Sequence, residues 1–268
     1  MSASALTEPF TPKGVAAFAR AKFHWLFLAQ FICALLAAIA VAWFFYVRCF
    51  PVIQSATENL PSGGQIRYGK LHWEGGSPQT LAEGSFLALD VDAWHSSQYR
   101  STADFQVEFG SESIEVYSLF GYSEFLYPPD DIIEFNRPQL QPLWEAWRSE
   151  VLFLIAVAVL VALPLVWWTL ATIYFLPVWF IGFFTNRELN LLASWKLSCA
   201  ALLPGALVMI VGILLYGFGV NLISFLFIFG AHFVLGWIYI LFALAFFPRN
   251  SSAPSRGNPF DHEKKPGT

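Results

Sequence analysis

The sequence predicts an α-helical membrane bundle of four transmembrane helices with a small β-rich extracytoplasmic domain inserted between helices 1 and 2. Three observations carry this. Residues 151–184, VLFLIAVAVLVALPLVWWTLATIYFLPVWFIGFF, hold no charged side chain, and further apolar runs fill residues 25–47, 197–216 and 222–247. A span needs about 20 mainly apolar residues to cross roughly 30 Å of hydrocarbon, and helices satisfy their own backbone there. Composition agrees: 56% of residues are hydrophobic and 13% charged, with a mean hydropathy of +0.54, on the apolar side of soluble domains. Residues 51–149 are the one long stretch of water-soluble character, and their apolar and polar residues alternate with period two.

The expected organisation is a cytoplasmic amino-terminal segment at residues 1–22 and transmembrane helix 1 at 23–48. An extracytoplasmic β-rich domain follows at 49–149, then transmembrane helices 2–4 at 150–247 with a cytoplasmic loop at 185–196. A disordered cytoplasmic tail at 248–268 completes the chain. Orientation follows from Lys and Arg near the spans. Lys13, Arg20 and Lys22 precede the first span, Arg187 and Lys196 lie between the second and third, and Arg249, Arg256, Lys264 and Lys265 follow the fourth. Four spans place all three groups on the cytoplasmic side, with both termini inside and the protein multi-pass in the plasma (inner) membrane. Arg48 dissents as an outer cation, expected to snorkel to headgroups.

At 1.5 Å per residue the run 151–184 would make a helix about 51 Å long, so a break is expected at Pro177, which removes a helical donor. Residues 150–175 then form the span and 177–184 an interfacial helix. Two crossings in this stretch would put the basic tail outside and are disfavoured. The first span is too long for a cleaved signal peptide and should remain as a signal anchor. Before it, Phe10, Val15, Phe18 and Trp25 interleave with basic residues, which suits either an interfacial amphipathic helix or a simple positive flank.

Within residues 51–149, 14 acidic residues face 5 basic ones, so nucleic acid is excluded as a partner. Ile66 and Tyr68, then Gly69-Lys70, then Leu71 and Trp73 read as a tight hairpin. Residues 86–91 alternate as a second strand. Phe105, Val107 and Phe109 face one way, with Gln106 and Glu108 the other, and residues 114–119 alternate again. Pro128-Pro129 and the segment 138–142 end the sheet. None of the three cysteines lies in residues 51–149: Cys33 and Cys199 sit in apolar runs and Cys49 at a boundary, so no disulfide framework is expected.

Chemistry-bearing motifs are few. Asp90, Asp92 and His95 in ALDVDAWH would suit a cation site at a strand end, or a turn with solvated carboxylates, and the turn is the preferred reading. No nucleophile elbow, His-Glu-x-x-His helix, phosphate loop or zinc-spaced cysteine pair occurs. No catalytic, cofactor-binding or metal-ligating residue is assigned, and no cofactor is expected. His232 is the one ionisable side chain near the middle of a span, hence the single candidate functional residue there. A satisfied imidazole packing between helices is the preferred reading over proton or substrate handling. Ala34, Ala38 and Ala42, and Ala201 with Gly205, recur every four residues and predict close helix approach.

Phe10-Thr11-Pro12-Lys13 ahead of the first span, LPSGGQIRYGKLHWEGGSPQ, FLALDVD, FQVEF, SIEVYSLF and WKLSCAALLP with its Pro204 carry a resemblance. In these the chain resembles an uncharacterised bacterial multi-pass membrane family (a domain of unknown function), some of whose members are described as maltodextrin-utilisation membrane proteins; more distantly it is similar to Yip-like proteins. The resemblance implies a plasma-membrane protein with an extracytoplasmic β domain linked to uptake or to the envelope, and it supplies no catalytic residues. Two function classes follow. The favoured one is a non-enzymatic component whose extracytoplasmic domain binds a partner or ligand. The alternative is a transporter or permease-associated subunit for a small solute. The lipid bilayer is the expected partner, a second membrane protein is a candidate, and oligomeric state is left open.

Overall fold

The computed structural model describes residues 10–94 and 101–249. His95, residues 1–9 and most of the expected tail, 250–268, lie outside the described residues. Among the described residues, four helices are long and apolar enough to cross a membrane: Phe23–Glu58, Arg137–Phe184, Leu191–Gly217 and Leu222–Leu244. A β-sheet domain lies in the chain between the first and second of them.

The helices start where the sequence supplies caps. Helix α1 (Pro12–Arg20) opens on Thr11, whose Oγ1 accepts from Gly14 N at 3.1 Å, with proline in its first turn. Helix α2 (Phe23–Phe44) passes through a π-helical turn at Phe45–Cys49 straight into α3 (Phe50–Glu58). The first long helix therefore runs ten residues beyond the expected end at 48. Helix α4 (Arg137–Phe184) starts thirteen residues before the expected 150, capped by Asn136 Oδ1, which accepts from Gln139 N at 3.2 Å. Helices α5 (Leu191–Gly217) and α6 (Leu222–Leu244) start on Asn190 and Asn221, whose side chains accept from Ala193 N and Ser224 N.

The expected break at Pro177 is absent. Helix α4 continues through Pro142, Pro164 and Pro177 for its full 48 residues, about 72 Å. A proline costs one helical bond, whereas opening the helix in apolar surroundings would strand several donors and acceptors. The expected loop 185–196 shrinks to residues 185–190 for a similar reason: the Asn190 cap lets the helix begin early. Lys196, counted as a loop cation, is instead buried in α5.

The chain forms two compact units. The first gathers α1 with residues up to 33, 163–207 and from 230 onward. Its core holds Val15 and Phe18 of α1 together with Leu26, Val178, Leu197 and Ile240. Residues 12–20 thus form a helix, more than a positively charged flank, and its apolar face is covered by protein. Here Lys196 Nζ donates to Ala21 O at 2.7 Å, and Arg187 Nη1 donates to Phe247 O at 2.7 Å and Ala245 O at 3.2 Å.

The second unit comprises residues 34–162 and 208–229 and contains both sheets. Strands β1 (Gly64–Arg67) and β2 (Lys70–Trp73) form the expected hairpin, with Ile66 opposite Leu71. Its turn is Tyr68-Gly69, at φ 52° and 71°, the two left-handed positions of a type I′ turn, where glycine costs nothing. Strand β8 (Ile132–Glu134) lies beside β1, giving the order β2-β1-β8. The larger sheet has the order β3-β4-β5-β6-β7, from β3 (Gln79–Glu83), β4 (Leu87–Asp92), β5 (Phe105–Gly110), β6 (Ser113–Ser118) and β7 (Gly121–Leu126). All neighbours are antiparallel except β4 and β5, which run parallel. Val107 and Val116 pair on one face, as their alternation predicts. Leu89, Val91, Phe109 and Ile114 of that face pack with Ala56 and Leu60 and with Ile66, Leu71 and Phe135 of the smaller sheet.

Arg48 does not snorkel. It stands in the π-helical turn, where its Nε donates to Gly217 O at 2.7 Å and its Nη1 to Ser85 Oγ at 3.3 Å. Gly217 is the last residue of α5, so the guanidinium answers both an unpaired carbonyl and the negative end of the helix dipole. Arg48→Lys keeps the charge but loses the two-donor fork. It should destabilise the solubilised full chain by about 1–3 kcal/mol, read as a lower melting temperature; a native-like melt would show that the charge alone matters.

Candidate functional site

In the larger sheet, successive residues of a strand point to opposite faces. Ala88, Asp90 and Asp92 share a face with Gln106 and Glu108, Glu115 and Tyr117, and Tyr122 and Glu124. The register aligns them into two rows. One row runs Ala88, Gln106, Tyr117, Tyr122; the next runs Asp90, Glu108, Glu115, Glu124. Four carboxylates therefore occupy one row on four adjacent strands, about 4.8 Å apart from strand to strand.

This face is not the solvated one its letters suggest. Asp90 is 5% exposed, Asp92 3%, Gln106 4% and Glu108 9%, whereas Tyr122 and Glu124 at the β7 edge are exposed. The preferred reading of Asp90 and Asp92 as solvated turn carboxylates is overturned. Residues 101–104 and the Ser77 turn fold across the face: Ser101 N donates to Gln106 Oε1 at 3.1 Å, and Ser77 Oγ to Asp92 Oδ1 at 3.2 Å. Ser101 Oγ also donates to Glu83, which holds that carboxyl below its ordinary range.

Asp90 is the outlier. Both its carboxylate oxygens are sealed from solvent and, among the described residues, accept no hydrogen bond of ordinary geometry. Burial pushes its carboxyl above the usual range, against the opposing pull of the nearby Thr80 and Gln106 side chains. It lines a cavity of about 280 Å³ with Thr80, Asp92, Gln106 and Glu108. Further along the same face, Tyr117 Oη donates to Glu115, and burial together with that bond raises the phenol. The Tyr117 and Tyr122 rings lie 5.1 Å apart, tilted by 42°. They line a concavity of about 860 Å³ shared by Asp104, Gln106, Leu119 and the first residues of α6, Leu222 and Ile223.

The sequence reading missed this row because period-two alternation marks a polar face without saying whether anything covers it. The available signal was that each of these strands carries its acidic residues on the polar side of its own alternation; their alignment into a row depends on the register. Among the described residues, no group of three His, Cys, Asp or Glu side chains is arranged to hold a metal ion.

His232 sits on α6, half-buried, in the other unit. Its main chain packs on α5: a Cβ placed on Gly205 would lie 2.6 Å from His232 O. The small-residue stripe at Ala201 and Gly205 thus does bring these helices together. Several buried polar groups of that unit are engaged in packing bonds, although Gln30 Nε2 has no hydrogen-bond partner among the described residues. Gln30 Oε1 accepts from Trp168 Nε1 at 3.1 Å, and Ser198 Oγ donates to Ser194 O at 2.9 Å.

In comparisons with known proteins, no family model, no curated protein and no solved structure matches the chain.

The strain at Asp90 gives a signed expectation. The folded chain holds this proton more tightly than the unfolded chain, so stability falls as pH rises from the ordinary carboxylate range, about 4, through the raised value. Asp90→Asn removes that loss. The variant should melt above the native protein at about pH 7, with the gap closing towards about pH 4. A lower melting temperature at neutral pH would show that the folded state depends on the carboxylate.

Proposed function

We propose that the chain is a non-enzymatic integral membrane protein of the plasma membrane, whose sheet domain faces the extracytoplasmic side and binds a ligand or partner. The acidic row Asp90, Glu108, Glu115, Glu124 beside the Tyr117–Tyr122 pair is the observation that carries this reading. A row of like charges on neighbouring strands opposes folding, and a face built that way next to an 860 Å³ concavity has the character of a recognition surface. The uncharged helices supply the anchor. The bacterial family resemblance belongs to this proposal and fits it.

Orientation rests on the cations near the helix ends. Lys13, Arg20, Lys22, Arg187, Lys196 and Arg249 all belong to the unit without the sheets, and the positive-inside rule places that unit's ends in the cytoplasm. The alternative, a permease-associated subunit or transporter, rests chiefly on His232, since Ser198 and Lys196 are engaged in structural bonds and Gln30 Oε1 accepts from Trp168.

Two measurements check the proposal. The native cysteines are all buried, so thiol labelling reports on introduced sites. Ser123→Cys on exposed β7 should react with an impermeant reagent in intact cells, and Glu188→Cys only after permeabilisation. The opposite pattern would invert the topology. For binding, a photo-crosslinking residue at Phe120, 71% exposed beside the concavity, should give a discrete adduct in native membranes. One at Ile132 on β8 should give none. Equal labelling at both sites, or none at either, would remove the sheet face as a recognition surface.

A further inference from the structure

The concavity beside the acidic face has two unlike walls. One is the sheet, with Tyr117 and Tyr122 side by side on β6 and β7, Glu115 and Glu124 in the adjacent row of the same face, and Gln106 on β5. The other includes Leu222 and Ile223, the first turn of the apolar helix α6, with Asp104 between the walls. Among the described residues, no Lys or Arg lines it. Asp104 is held in place by Tyr216 Oη, which donates to its Oδ2.

A site of this make-up favours positive charge. Small divalent ions want several oxygen ligands converging at short range, and the described residues offer no such cluster. Two tilted tyrosine rings with centroids 5.1 Å apart present π-faces, which attract a larger, weakly hydrated cation such as an organic ammonium. A second, independent observation lies in the same acidic row. Asp90, nineteen-twentieths buried at the border of the neighbouring cavity, accepts no hydrogen bond of ordinary geometry on either oxygen and faces no cation among the residues lining that cavity, so the face carries poorly compensated negative charge.

We propose that this concavity is a binding site for an alkylammonium group, seated on the Tyr117–Tyr122 pair and held by the Asp104 carboxylate. The proposal rests on the reading of the sheet domain as a recognition module and names the chemistry it recognises. Two sources carry that chemistry: a free organic amine, or the head group of an amine-bearing phospholipid whose chains lie along Leu222 and Ile223. The ammonium is common to both.

The test uses the full chain. In detergent, choline and ethanolamine are titrated by calorimetry against sodium chloride of equal ionic strength. In nanodiscs, lipid retention is compared between phosphatidylethanolamine and phosphatidylglycerol bilayers by native mass spectrometry. Saturable uptake of the free amines supports the site with a soluble source. Selective retention of phosphatidylethanolamine without free-amine binding supports it with the leaflet as source. In either arm, Tyr122→Ala and Asp104→Asn should each weaken binding by about tenfold, while Tyr122→Phe, which keeps the ring, should not. Tyr122 lies exposed on an edge strand, and the amide oxygen that Asp104→Asn introduces can still accept from Tyr216, so both variants keep the fold. No binding in either arm, or binding indifferent to both variants, overturns the proposal. If the Phe120 adduct persists in that case, the sheet face recognises something other than an amine; if the adduct is also absent, the recognition reading falls with it.

Discussion

Unpaired carbonyls at the carboxyl ends of apolar helices are the constraint on which much of this structure turns. The last turn of any helix leaves acceptors without donors, and in apolar surroundings water cannot supply them. Here three cations do. Arg48 donates to Gly217 O at the end of α5, Arg187 to Ala245 O and Phe247 O beyond α6, and Lys196 to Ala21 O beyond α1. Each bond joins segments distant in sequence, so each both completes a helix and fixes its neighbour. Arg187 and Lys196, which the sequence offers only as charges to be counted, are therefore held in structural bonds.

The same logic, that polar groups are bonded first and counted afterwards, separates the two halves of the polar inventory. Ser194 and Ser198 are bonded within the helical unit, and Gln30 Oε1 accepts from Trp168 there. On the larger sheet the balance is different. Asp92 and Gln106 receive donors from the turns folded over them, yet among the described residues Asp90 does not, and the row it belongs to concentrates like charge across four strands. Natural sheets seldom keep such an arrangement without use. The recognition reading therefore follows from a place where local satisfaction fails and like charge accumulates together.

How much of this was legible in the sequence depends on what kind of signal each feature leaves. The four long helices and the Ile66–Leu71 hairpin were legible because hydrophobic length and period report directly on them. The parallel pairing of β4 with β5 was not, since alternation defines a strand but names no neighbour. Pro177 misled because a proline rule learned in water overstates its power where helix is the only satisfied state. Arg48 misled because charge counting is blind to the carbonyl of Gly217, 169 residues away. The polar side of each strand was written in its alternation, but the alignment of the acidic row depends on register, and its burial depends on residues 101–104 and the Ser77 turn, whose fold no local pattern specifies.

The π-helical turn at Phe45–Cys49 has a geometric effect on everything after it. Such a turn accommodates one residue more than an α-helical turn, so the segment beyond it is rotated by roughly 100° relative to an uninterrupted helix. Ala38 and Ala56, eighteen residues apart, would point the same way on a regular helix; with the turn between them their directions differ by about 100°, and both are buried. The turn works as a phase adjuster, so that burial on the far side of it follows a different stripe of the sequence from burial before it.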